Sequence, residues 1–141
     1  MEHVFKKAML FAVILYPFLN LYPAILKYQS GMQAAYWMKT NKPTTPVIAY
    51  KTASYSLEFY SAAEVSRNND EDLLRQSALR HPVILYTTKA HADSLALHGF
   101  KLRLLQSFQY FPVSRIDIKF INPETRPSEL KTMVLASVSA K

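Results

Sequence analysis

The chain has 141 residues, of which half are hydrophobic and 19% charged, with a net charge of +7, two glycines and no cysteine. The absence of cysteine excludes disulfides and thiolate metal sites, and glycine only at Gly31 and Gly99 excludes both kinds of Gly-rich phosphate loop. The basic excess is scattered rather than gathered into a run, which fits simple solubility or attraction to anionic lipid headgroups and not a nucleic-acid tract.

The first predicted element is apolar. From Ala8 to Leu26 (AMLFAVILYPFLNLYPAIL) there is no charged residue, with Lys6 and Lys7 before the run and Lys27 after it. Roughly nineteen residues rising about 1.5 Å each span about 28 Å, the thickness of a bilayer's hydrocarbon core. A core helix of a small soluble domain needs a polar face, and this stretch has none. A secretory leader is the competing reading, but Tyr22-Pro23-Ala24 offers a poor cleavage site, so an uncleaved membrane anchor is favoured. Pro17 and Pro23 would kink an isolated helix; in membranes such residues are tolerated where neighbouring helices re-satisfy the freed carbonyls. Tyr22, Tyr28, Tyr36 and Trp37 follow the run as aromatics do at headgroup level, so residues 1–40 are expected to form a transmembrane helix and an interfacial helix. An ordinary amphipathic helix capping the next domain satisfies the Tyr28–Asn41 pattern equally well.

Residues 41–141 read as a soluble α/β domain opened by the proline-bearing link Asn41–Pro46. VIAYK predicts a strand, and Ser54 to Ala62 a short helix with Ser54 as N-cap. A brief strand is expected near Ala63–Val65. NNDEDLLRQSALRH has the acids and cap residues of a helix start. PVILYTTK is the clearest strand; HADSLALHGF predicts a helix stopped by Gly99, and LRLLQSFQYF another strand. VSRIDIKFIN alternates like a half-buried strand, NPETRP is a turn, and TMVLASV a terminal strand. The order implies an N-terminal transmembrane helix followed by a small three-layer domain with a mixed β-sheet.

Chemistry is sparse. His91 and His98 stand two helical turns apart, about 10 Å, too far to share a metal. His3 and His81 have no identifiable partner, and Glu58 and Asp117 read as solvated charges; no catalytic set, metal site or cofactor is expected. The remaining constellation is aromatic. Tyr50, Tyr55 and Tyr86 are the candidate ligand-binding residues, for stacking on sugar rings, although core filling is the commoner role of such side chains.

An apolar helix running into YQSGMQAAYWMKTN, followed by PVIAYKTASYSLEFYSA, HPVILYTTK and FPVSRIDIKFINPETRP, resembles the C-terminal end of bacterial membrane glycosyltransferases of the aminoarabinose transferase and protein mannosyltransferase type. That resemblance implies a last membrane helix leading into an extracytoplasmic α/β domain in the inner membrane. The family transfers sugar from a polyprenyl-phosphate carrier, using acidic residues of an early loop that has no counterpart here. The chain would then be a noncatalytic, single-pass fragment or split piece, inactive alone, with the lipid bilayer and a polytopic glycosyltransferase portion as partners. Two other readings stand beside it: a membrane-tethered domain binding glycan or anionic lipid through its Tyr-rich edges, and a soluble enzyme with a cleaved leader.

Overall fold

The computed structural model describes residues 2–41 and 43–139. The chain divides into two compact units, residues 1–29 with 111–130, and residues 30–110 with 131–141.

The first unit holds the apolar helix. Helix α1 (Glu2–Tyr16) passes through a π-helical turn (Pro17–Leu21) into α2 (Tyr22–Lys27). Pro17 cannot donate to the carbonyl four residues back, and the helix widens by one π turn there instead of breaking. The Asn20 side-chain amide donates to the Tyr16 carbonyl at 3.2 Å, satisfying a group at this irregularity. Pro23 sits in the first turn of α2, where a missing N–H costs nothing. Among the described side chains from Val4 to Tyr22 nearly every large one is exposed, and they point to all sides of the helix. His3–Lys27 is the one described helix long and apolar enough to cross a membrane.

The rest of this unit is the segment 111–130, where the structure overturns an expectation. The alternating stretch VSRIDIKFIN forms no strand among the described residues. It folds as a 3-10 turn (Val113–Arg115) and a short helix α7 (Ile118–Ile121), followed after a turn by α8 (Arg126–Glu129). Asp117 explains the change: its carboxylate accepts from the Phe120 N–H at 2.9 Å, capping α7. Phe120 becomes the buried anchor, its ring stacked on Phe111 at 3.7 Å and edge-on to Tyr28 at 6.0 Å.

The second unit is an α/β sheet. Helix α3 (Ser30–Asn41) precedes β1 (Val47–Tyr50), α4 (Tyr55–Tyr60), β2 (Val65–Asn68), α5 (Glu71–Arg80), β3 (Val83–Thr88), α6 (Lys89–Leu97), β4 (Lys101–Tyr110) and, beyond the inserted segment, β5 (Lys131–Ser139). The five strands run in the order β2-β1-β3-β5-β4. β1 is parallel to β2 and β3, with Ile48 opposite Ser66 on one side and Leu85 on the other. β5 is antiparallel to both β3 and β4, so the sheet is mixed, as expected. Ser54, Asp70 and Thr88 cap α4, α5 and α6 with their side chains, and Gly99 takes φ 88° just after α6.

Alternate residues of the same strands enter two separate clusters, so both faces of the sheet carry buried side chains. Val47, Ala49, Ile84, Tyr86 and Leu135 pack with Ala34, Ala35 and Met38 of α3 and Leu57 of α4. Ile48, Tyr50, Val83, Leu85 and Val138 pack with Leu74 and Ala78 of α5 and Leu95 of α6. Helix α3 therefore belongs with the sheet by its burial, whereas Tyr36 on its other side is 74% exposed.

Candidate functional site

The three candidate tyrosines do not converge. Tyr50 closes β1 and points into the cluster with Leu74 and Leu95, only 2% exposed. Tyr86 lies in β3, equally buried, in the other cluster. Strand alternation puts the two on opposite faces of the sheet, so they line no common site. The Tyr86 phenol shares a 2.8 Å hydrogen bond with the Ser30 hydroxyl, and burial pushes its pKa up. Both tyrosines fill the core; neither is open to a ligand.

Tyr55 is different. It begins α4, is 76% exposed, and stands one turn before Phe59, which is 81% exposed. Leu57 between them is fully buried, so α4 turns one side to the core and leaves Tyr55, Phe59 and the half-exposed Tyr60 outward. Phe59 and Tyr60 meet edge to face at 5.0 Å, and with Tyr55, Ser56 and Glu58 they line a shallow depression. Arg67 of β2 holds the rim. Its Nε and Nη2 donate to the two Glu58 oxygens at 2.6 and 2.9 Å, a bidentate pair, while the guanidinium lies 4.7 Å from the centre of the Tyr55 ring. The Arg67 hydrogen bond holds the Glu58 carboxyl below the usual carboxylate range, and Glu58 pushes Arg67 still higher. Glu58 is thus a fixed anion in an ion pair and no proton donor at neutral pH. The Tyr55–Phe59 spacing of four was the sequence signal for this surface; the Arg67 contact, which crosses from α4 to β2, had none.

The expected headgroup aromatics also separate. Tyr22 is 57% exposed on α2, while Tyr28 is partly buried against Phe120. On α3, Tyr36 projects outward and Trp37 packs partly against the core; together with Met32 and Phe108 they border a groove beside β4.

Several other titratable groups pair locally. His98 Nδ1 lies 2.8 Å from Glu71, whose carboxyl is held low chiefly by that bond, with Arg75 adding to it. Lys89 pairs with Asp93. His91 turns its ring edge-on to Tyr50, and its Nδ1 has no partner among the described residues. Among the described residues no three His, Asp or Glu side chains gather as a metal site. No family model, curated protein or solved structure matches the chain. The exposed apolar helix and the aromatic face of α4 are two surfaces on which a function can be built.

Proposed function

We propose that the chain is a membrane-anchored, noncatalytic α/β module that works beside a polytopic membrane protein, as the C-terminal part of a polyprenyl-phosphate-sugar-dependent glycosyltransferase would. One observation carries the reading: the helix His3–Lys27 is apolar on all sides and only 6% of its most apolar stretch is buried. Such a surface is stable in lipid or against other helices and costly in water. The π turn at Pro17–Leu21 supports helix neighbours, because widened turns persist where surrounding groups compensate the lost backbone bonds. The same reading takes the sheet as the middle of three layers, with α3 and α4 over one face and α5 and α6 over the other. Leu57 joins one cluster while Leu74 and Leu95 join the other. Right-handed crossovers moving outward from β1 to β2 and back across to β3 require that alternation.

Expression of the full chain in a bacterial host, followed by alkaline carbonate extraction and affinity capture, tests the proposal. The expected result is a carbonate-resistant chain that co-purifies with activity transferring sugar from a polyprenyl-phosphate donor. A chain released by carbonate, or one shortened by about twenty-five residues in intact mass as a cleaved leader requires, overturns it.

A second reading, a tethered glycan-binding domain, is favoured by Tyr55, Phe59 and Tyr60 standing exposed beside Arg67. Aromatic faces beside a cation suit sugar-ring stacking. Loss of binding on a glycan array for Tyr55→Ala and Phe59→Ala, with unchanged circular dichroism, supports it; equal binding removes it.

A further inference from the structure

The segment 111–121 shares a compact unit with the apolar helix, and its surface is unusual for a loop facing water. Ile118 is 83% exposed, Ile121 42% and Ile116 37%, and the exposed Arg115 and Lys119 alternate with them. Neither Arg115 nor Lys119 has an acidic partner among the described residues. The acids nearby are Asp117, whose carboxylate is taken up by the Phe120 N–H, and Glu124 and Glu129 beyond the α7 turn.

The segment is pinned to the end of the apolar helix. The Phe111 N–H donates to the Tyr28 carbonyl at 3.2 Å, one residue past Lys27, and the buried Phe120 lies edge-on to the Tyr28 ring. The carbonyls of residues 117–121 are each taken up without water. The carbonyls of Asp117 and Ile118 accept from the N–H groups of Ile121 and Asn122, and that of Lys119 accepts from the Thr125 hydroxyl at 2.7 Å. Arg126 donates Nε to the Phe120 carbonyl at 2.8 Å and Nη2 to the Ile121 carbonyl at 3.1 Å. A four-residue helix in water has no need of such cover, since solvent satisfies its last carbonyls. At the edge of a bilayer the need is strict, because hydrocarbon offers no donor.

We propose that residues 115–121 form an interfacial foot that seats on the bilayer beside the anchoring helix, with Ile116, Ile118 and Ile121 entering the acyl boundary and Arg115 and Lys119 engaging anionic lipid phosphates. Exposed aliphatics alternating with unpaired cations, continuous with a membrane-length helix, are the chemistry of an interfacial anchor. The inference rests on the anchored reading above.

The chain has no cysteine, so single spin-labelled cysteines can be placed cleanly. Ile118→Cys reports on the foot, Phe11→Cys on the helix and Leu97→Cys, at an 88% exposed site of the sheet unit, on water. Full-length protein is reconstituted in phosphatidylcholine vesicles with and without phosphatidylglycerol. Collisions with oxygen, which concentrates in lipid, are compared with those of an aqueous nickel chelate. Labels at 118 and 11 are expected to favour oxygen and the label at 97 the chelate. Arg115→Gln and Lys119→Gln are each expected to lower the seated-to-free ratio at 118 about fivefold in anionic vesicles and not in zwitterionic ones. A 118 label as open to the chelate as 97, with 11 in lipid, overturns the foot and leaves the anchor standing. Labels 118 and 11 both in water overturn both. A 118 label shielded from both reagents means that protein covers the segment, and a ratio indifferent to Arg115 and Lys119 removes the recognition of anionic lipid.

Discussion

The hydroxyl of Ser30 and the phenol of Tyr86 lie 2.8 Å apart inside the sheet unit, joining the first turn of α3 to strand β3 across fifty-six residues of sequence. Ser30 is fully buried and Tyr86 nearly so. Tyr86→Phe strands the Ser30 hydroxyl and Ser30→Ala strands the phenol, and each is expected to cost about 1–3 kcal/mol. The double variant should lose less than the sum, because the second substitution removes a group already unpaired. Denaturant titrations of the four proteins in detergent check this, and strict additivity would mean that the bond contributes nothing.

Burial raises the Tyr86 pKa above 10.0, which fixes the sign of a pH effect. The folded chain then holds the phenolic proton more tightly than the unfolded chain does. Its contribution is complete below pH 10 and is lost as pH climbs from there through the higher native value. The wild type should lose stability over that alkaline window faster than Tyr86→Phe, as followed by fluorescence-monitored unfolding at stepped pH. Parallel curves for the two proteins would rule the linkage out.

Much of the sheet unit was legible because its signals are local. Ser54 before an apolar turn, Asp70 before acids and Gly99 after a short helix each bring their own chemistry to a helix end. Val83–Thr88 opens on three aliphatic residues in a row because β3 lies centrally, between β1 and β5, and is buried on both faces. Non-local choices were not legible. Nothing near β5 announces that it slots between β3 and β4, and Tyr50 and Tyr86 look like ligand tyrosines until pairing turns them inward. The stretch 113–122 alternates as a strand does, but a capping aspartate three residues before Phe120, and the Phe111 and Tyr28 rings waiting for that side chain, select a helix.

The Glu58–Arg67 pair should be visible as a displaced titration. With Arg67 in place the Glu58 carboxyl titrates below its ordinary 4.5, so the pair's contribution is present above that value and fades as pH falls through the native pKa. Arg67→Ala should return Glu58 toward 4.5 and free the Tyr55 ring, read by carboxyl-resolved NMR. An unmoved Glu58 titration would mean that the pair is broken in solution. Arg67→Lys is expected to behave like the alanine variant in large part, since an ammonium cannot make the bidentate contact.

Membrane anchoring is tested most sharply at the middle of the apolar helix. Ile14, 53% exposed, lies near the centre of His3–Lys27. Ile14→Arg places a charge where insertion costs about 2.5–3.5 kcal/mol, and should shift much of the chain from the carbonate-resistant to the soluble fraction. Leu97→Arg, on the sheet unit, should leave the partition unchanged. Equal extraction of both variants would separate this helix from the bilayer altogether.

Gly31 gives the most specific packing forecast. It is buried in α3 where that helix meets α4, and a Cβ added there would run into the Ser54 hydroxyl and lie 2.5 Å from that of Ser56. Helix α3 can approach α4 this closely only because residue 31 has no side chain. Gly31→Ala gains helix propensity worth about 1 kcal/mol in an exposed helix. Here the overlap must be relieved by moving the α4 cap, and overpacking of this kind costs about 1–3 kcal/mol. The two effects oppose, and the variant is expected to be less stable by up to about 2 kcal/mol. Ser54→Gly removes the nearer obstruction, leaving only the Ser56 hydroxyl at the end of a side chain that can rotate away, and keeps a permissive cap, a change of only a few tenths of a kcal/mol by itself. In the double variant Gly31→Ala should then become neutral or stabilising, so the coupling between the two sites is positive and large. If Gly31→Ala is equally destabilising with and without Ser54→Gly, the close approach of α3 to α4 through residues 31 and 54 is wrong.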